Sequence, residues 1–255
     1  MEGKVQHMHY VMSDIHGDFE HFLEMLSVIA FSQGDWLYIL GDVIDRGHQN
    51  VEMLQFCRDT EHVVLLKGNH EYFMELAEKD RLFERQWRAY GGRNTLYQLG
   101  RIPAEERSGL QDYVRSLPWY LVLTPKEIPV LDRPYLLTHT GFLRPSPSWN
   151  APDFCYPDLS GLIPFDVERA ICWAFKNKPW EYSISNDLYD LPQSVRFDKR
   201  LLVGHVPVIA GFAFDAVPYM LQRREYIDLD CGSGYRHKGG RLGCLRLEDM
   251  RIWYV

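Results

Sequence analysis

Cysteine is sparse and unpaired in this sequence. Cys57, Cys155, Cys172, Cys231 and Cys244 make five, an odd number, far apart and with no Cys-x-x-Cys pair among them. That excludes a disulfide framework and a cysteine zinc site, and it points to a reducing cytoplasm. No apolar run approaches the roughly 18–20 residues a membrane span needs. The opening stretch Met1–His7 lacks the apolar core of a secretory leader. Positive charge is in deficit, with 28 Lys and Arg against 35 Asp and Glu and a formal net charge of −7. General binding to a nucleic-acid backbone is therefore disfavoured. There is no internal repeat and no low-complexity tract.

What is present is the balance of a globular chain. The 255 residues are 46% hydrophobic and 25% charged, enough for a core without staples. No linker divides the chain, so residues 1–255 read as one domain. One local unit recurs: a short apolar run that stops at a Gly/Asp/His/Asn cluster. His9–Ser13 runs into Asp14, Trp36–Leu40 into Gly41, Val63–Lys67 into Gly68, Tyr135–Thr138 into His139, and Arg200–Val203 into Gly204. Such runs read as buried strands. Between the first of them lie helical patterns, one led by Asp18 with Phe19, Phe22, Leu23, Leu26 and Ile29 on one face, and one after Gln49. The alternation predicts an α/β fold with helices on a sheet. Residues 71–117, rich in Arg, Glu and aromatics, read as a mainly helical insertion broken at Gly91-Gly92. Pro145–Pro164 reads as loop and Phe165–Phe175 as a short helix. Strand candidates at Ala210–Phe214, Tyr219–Leu221, Tyr226–Leu229, Leu242–Leu247 and Ile252–Val255 predict antiparallel strands completing a second sheet.

Five apolar runs thus deliver a metal-capable group at the carboxyl end, where α/β sheets bind ligands. The set is Asp14, His16, Asp42, Asn69, His139 and His205. Asp14 and His16 are two apart and point to the same side of extended backbone. Imidazole and carboxylate oxygen, with no thiolate, suit Mn²⁺, Fe, Zn²⁺ or Ni²⁺. Six ligands exceed what one catalytic ion with open positions can use, so two divalent ions sharing a carboxylate account better for the count.

Asp14-Ile15-His16-Gly17, Gly41-Asp42-Val43-Ile44-Asp45-Arg46-Gly47 and Gly68-Asn69-His70-Glu71 resemble the three signature blocks of the PPP-type metallophosphatases, within the calcineurin-like phosphoesterase superfamily. Thr138-His139 and Gly204-His205 match the downstream histidines, and the tail from Ile227 to Gly232 with Gly239–Leu242 is similar to that family's closing strands. The resemblance implies a fold of two mixed β-sheets packed as a sandwich and flanked by helices. It implies that Asp14 and His16 hold a first metal, that Asp42 bridges, and that Asn69, His139 and His205 complete a second. Manganese is the expected ion. A bridging hydroxide would attack in line. Arg46 and Asn69 would bind the phosphoryl group, and His70 would also touch the substrate, protonating the leaving oxygen with Asp45 orienting it.

Two departures bear on substrate. Gly204-His205-Val206-Pro207 lacks the second histidine of the wider superfamily and fits the PPP branch. No arginine stands after Trp173, where a second phosphate-binding arginine is expected, leaving Arg144, Arg169, Lys176 or Lys178 as substitutes. His48, Arg93 and Asn94 are secondary substrate-contact candidates. Trp87, Tyr90 and Trp149 read as core or cap packing before groove lining, and the remaining histidines as structural or exposed. The resulting expectation is a Ser/Thr protein phosphatase, with dual specificity for phosphotyrosine an option, acting on a phosphoprotein or other phosphorylated molecule. The alternative is a dinucleoside-tetraphosphate hydrolase. A non-catalytic module is a third reading, disfavoured because His70, Asp45 and Arg46 are all retained. Neither a nucleic acid nor a membrane is an expected partner, and no oligomeric state follows from the sequence.

Overall fold

The computed structural model describes residues 7–141, 196–210 and 217–255. Arg144, Trp149, Cys155, the loop expected at 145–164, the helix expected at 165–175 with Arg169, Cys172 and Trp173, Lys176, Lys178 and residues 211–214 lie outside them.

The first sheet is built on three parallel strands. These are β1 (His9–Met12), β2 (Trp36–Ile39) and β3 (Val63–Leu65), linked by α1 (Phe19–Val28) and α2 (Asn50–Asp59). Alternation along them sorts the core. Tyr10, Met12, Leu37 and Ile39 face the helices, against Phe22, Met25 and Leu54. Val11, Tyr38 and Leu40 face the second sheet, against Leu137, Leu202 and Ile227. Burial on both faces is why these strands are continuous apolar runs rather than alternating ones.

After β3 come α3 (Asn69–Ala77), α4 (Arg81–Trp87), a π turn at Arg88–Gly92, α5 (Arg93–Leu99) and α6 (Ala104–Ser116). The helical expectation for this stretch holds, and Gly91, at φ 113°, makes the break. The second sheet has order β4 (Tyr120–Leu123), β5 (Tyr135–Thr138), β6 (Arg200–Val203), β8 (Tyr226–Asp228), β7 (Leu221–Gln222). The first is completed by β9 (Gly243–Arg246) and β10 (Ile252–Tyr254). Two mixed sheets packed face to face are as expected. The division of the tail is not: β9 joins the first sheet antiparallel to β1, β10 follows antiparallel to β9, and β8 lies parallel to β6. Strand direction depends on long-range pairing, which short apolar runs do not encode. Asp18 also departs from its expected role. Its side chain makes no cap bond to α1. It accepts instead from His21 Nδ1 at 2.6 Å, Ser233 Oγ at 3.2 Å and Arg236 Nε.

Lys67, just past β3, is buried and ties this sheet to the helices. Its ammonium donates to Glu75 at 2.8 Å and to the Arg115 carbonyl at 3.1 Å. Burial pushes the Glu75 carboxyl up, but bonds from Lys67 and Lys79 outweigh it and hold the group below its ordinary value. A depressed value stabilises the fold above the unfolded value near 4.5, and the stabilisation is lost as pH falls through the folded one. Glu75→Gln is therefore expected to cost about 3 kcal/mol at neutral pH. Melting temperatures of variant and parent should converge in acid; a gap independent of pH would refute the pairing.

Candidate active site

The parallel strands β1, β2, β3, β5 and β6 end at the same edge, and their following loops are stitched together through backbone. Asp14 N donates to Gly41 O at 3.1 Å, His16 N to Asp42 O at 2.9 Å and Gly204 N to His139 O at 2.9 Å. Six of the nine non-glycine residues with positive φ among the described residues are Asp14, His16, Asp42, Asp45, Arg46 and His205. Left-handed backbone costs a non-glycine residue on the order of 1 kcal/mol or more, and it gathers where a side chain must be aimed.

The six expected ligands converge. Asp42 Oδ2 is 3.9 Å from His16 Nε2, 3.7 Å from His70 Nε2 and 3.3 Å from His139 Nε2. Two sets each bring their donor atoms within 4.8 Å of one another: His16, Asp42 and His70, and Asp42, His139 and His205. Asp42 belongs to both. Asp14 Oδ2 accepts from Ser13 Oγ and from His205 N at 3.0 Å, while Oδ1 is buried without a partner, 3.9 Å from His16 Nε2. Asn69 Oδ1 lies 2.9 Å from both His139 Nε2 and His205 Nδ1. Carbonyl acceptors fix the ring orientations. His16 Nδ1 meets Ile44 O at 3.0 Å and His139 Nδ1 meets Leu40 O at 2.9 Å, so both Nε2 atoms face inward. A carboxylate oxygen buried without a partner among inward-facing imidazole nitrogens is a donor set that fits divalent cations.

Charge within the cluster is unevenly held. Burial opposes ionisation of Asp42, but His139, His70 and His16 keep it well below the usual carboxylate range. Burial, with the neighbouring Asp42 charge, raises Asp14. Burial, Arg46 and His70 push His16 well down. Against burial, Asp42 and Asp45 raise His70, and Asp42 and Asp14 carry His139 up to about 10.

Arg46 and the His70–Asp45 pair flank this cluster. The Arg46 guanidinium is 2.7 Å from His16 Nε2, 3.3 Å from His70 Nε2 and 4.7 Å above the Tyr235 ring. His70 Nδ1 donates to Asp45 Oδ2 at 2.6 Å. A cleft of about 520 Å³ opens beside His16 and Arg46, between Gly47–Gln49 and the turn Ser233–His237. Arg236, His48 and His237 line it, so His48 falls where the sequence places it and His237 gains a position it was not expected to have. Of the other candidates, Arg93 is exposed and Asn94 donates to Gly47 O at 3.2 Å. Trp87 is buried as expected, while Tyr90 is 60% exposed and stacks on Phe73.

Four participants escape a reading of the signature blocks. Glu71 is fully buried and accepts from Asp42 N, Val43 N and Gly68 N at 2.8–2.9 Å. Trp87 and Thr95 donate to Asp45. Tyr235 supports Arg46 from a turn far away in sequence. Only Glu71 had a local signal, as the acidic residue three places after Gly68, where a carboxylate reaches back to the start of a helix.

The sequence profile of calcineurin-like phosphoesterases matches residues 10–229. A symmetrical bis(5'-nucleosyl)-tetraphosphatase of Neisseria gonorrhoeae (strain NCCP11945) is 38% identical over 68 residues, 26% of this chain and 25% of that relative. The match thus spans about a quarter of that relative's length. The like-named protein of Vibrio campbellii (strain ATCC BAA-1116) is 25% identical, with 96% of this chain and 97% of that one covered. A crystal structure described as a putative diadenosine tetraphosphatase superposes with a TM-score of 0.56 at 19% identity, covering 99% and 94% of the two chains, and shares the fold.

Proposed function

We propose that this chain, which belongs to the calcineurin-like phosphoesterase family, hydrolyses phosphoric esters and anhydrides with two divalent metal ions, and that its substrate is a dinucleoside polyphosphate. The observation that carries this reading is the cleft of about 520 Å³ running from the Asp42-centred cluster past Arg46 and Arg236. Arg46 offers its guanidinium there to a chain of phosphates, and the cleft has room for a nucleoside. Relatives named as symmetrical tetraphosphatases support the same substrate. The sequence ranks a phosphoprotein first, from its acidic balance and the missing arginine after Trp173. Arg236 lines the same cleft as Arg46, with its Nε tied to Asp18 and its Nη1 to the Val255 carbonyl.

Asp14, His16 and Asp42 would hold one ion, and Asp42, Asn69, His139 and His205 the other; manganese suits these oxygen and imidazole donors. When bound, the pair would polarise the phosphoryl oxygens and acidify water at the centre. Arg46 spreads its fork over two phosphoryl oxygens. His70 presents Nε2 to the leaving oxygen and gives it a proton as the P–O bond breaks, while Asp45 keeps Nδ1–H in place. Arg46→Ala is expected to lower kcat/KM about 100-fold, with Arg46→Lys recovering only part of it because a point charge replaces a fork.

A second reading, a phosphoserine or phosphothreonine protein phosphatase, draws support from the complete His70–Asp45 pair. An alkoxide leaving group needs a proton more than a nucleoside diphosphate does. The test is kcat/KM with Mn²⁺ for diadenosine tetraphosphate and for a phosphothreonine peptide, with His70→Ala as control. Faster conversion of the nucleotide to two molecules of ADP is expected. Faster peptide turnover would move the substrate to phosphoproteins, and turnover of neither would overturn hydrolysis itself.

A further inference from the structure

Asp45 is fully buried, and its carboxylate is held at both oxygens. Oδ2 accepts from Trp87 Nε1 at 2.6 Å as well as from His70 Nδ1 at 2.6 Å, and Oδ1 accepts from Thr95 Oγ1. Its backbone N–H donates to Asn50 Oδ1 at 2.7 Å. Trp87 ends α4 and Thr95 lies in α5, so the two donors reach Asp45 from either side of the π turn, where Gly91 leaves helical geometry. Gly92 makes the approach possible. A Cβ there would lie 2.4 Å from the indole Nε1, so a side chain would push the ring off the carboxylate.

We propose that Trp87 and Thr95 are positioning residues: they clamp the Asp45 carboxylate so that His70 is held with Nδ1–H toward Asp45 and Nε2 toward the reacting phosphoryl group. The indole N–H can only donate, so its partner oxygen stays an acceptor toward His70. The Thr95 hydroxyl occupies the other oxygen, and the carboxylate loses the freedom to rotate about its terminal torsion. His70 Nε2 then lies 3.7 Å from Asp42 Oδ2, at the edge of the ligand cluster. The helices between β3 and β4 thereby set the geometry of proton delivery, beyond covering the strand ends. Trp87, Gly92 and Thr95 act as one unit within a single short stretch of chain.

The inference rests on the phosphohydrolase reading, and its test separates the two. Trp87→Phe keeps the ring and removes the donor; Thr95→Val removes only the hydroxyl and carries the same test should Trp87→Phe not fold. With Mn²⁺, each variant is compared with the parent on phenyl phosphate, a poor leaving group, and dinitrophenyl phosphate, a good one. Loss of aligned proton donation predicts a kcat about 10- to 100-fold lower on phenyl phosphate, within about threefold on dinitrophenyl phosphate, with KM little changed. Placed on His70→Ala, either substitution should cost nothing more, because residues acting as a unit are not additive. A readout independent of turnover is the far-downfield Nδ1–H proton resonance of His70, expected to be present in the parent and lost to solvent exchange in the variants. Equal losses on both esters, additive loss on His70→Ala, or an unchanged resonance would overturn the clamp. If the parent hydrolyses neither ester, the resonance decides the clamp alone, while the phosphohydrolase reading stands or falls separately on diadenosine tetraphosphate and the phosphothreonine peptide.

Discussion

Asp42→Asn is expected to abolish turnover, lowering kcat/KM by at least about 1,000-fold, or roughly 4 kcal/mol of transition-state stabilisation. The substitution is nearly isosteric, and the asparagine oxygen can still accept from His70 N as the aspartate does at 3.0 Å. What disappears is the charge common to both ligand sets. Titration with Mn²⁺ should accordingly show the stoichiometry falling from two ions to no more than one. The metal-free variant should melt lower than the parent at neutral pH, because His139, His70 and His16 hold the Asp42 carboxylate well below its usual range and the amide forfeits that pairing; the gap should close as pH falls through the depressed value. Retention of two tightly bound ions, or activity within about tenfold of the parent, would remove Asp42 from its bridging role.

Glu71→Gln should act through the backbone. The two Glu71 oxygens accept from three N–H groups, on Asp42, Val43 and Gly68. Burial and the Asp42 charge push this carboxyl up to about 7, opposed by those bonds. A glutamine has one acceptor oxygen and turns an NH₂ toward at least one buried N–H. Two donors then face each other without water, at a cost of about 3 kcal/mol. At about 2–4 °C per kcal/mol for a chain of this size, the melting temperature should fall by about 6–12 °C. Mn²⁺ affinity should drop with it, since the loops carrying Asp42 and Asn69 lose their common anchor. Glu71→Gln with unchanged melting and unchanged metal affinity would show that the loops hold themselves.

The layers of the fold and the candidate ligand cluster are readable because each rests on a local pattern. A strand buried on both faces is a short apolar run, and a ligand at its carboxyl end is the next polar residue. Asp14, His16, Asp42, Asn69, His139 and His205 could be picked out this way, and the structure gathers them around one carboxylate. Pairings between distant segments were not readable. Nothing in Gly243–Arg246 says that it pairs with β1 rather than extending the second sheet. Nothing in Arg236 says that it enters a cleft with Arg46, and Asp18 resembles a helix cap until Ser233 and Arg236 are brought to it. Trp87 illustrates the limit most directly. Burial was the sound inference from an aromatic in a helical pattern, and it holds. The polar edge of the same ring has a separate role, visible only once Asp45 stands 2.6 Å away.

The left-handed backbone at Asp14, His16, Asp42, Asp45, Arg46 and His205 also bears on how such a site could be copied. Copying the side chains alone onto another sheet would place the right atoms on strand ends that aim them elsewhere, because ordinary backbone does not turn that way. A working graft would have to carry the loops with their mutual hydrogen bonds and the Glu71 anchor as one piece. Random diversification at these six positions should likewise return mostly Asn, Asp, His and Gly, the residues that tolerate the conformation, even where the chemistry of the position is not under selection.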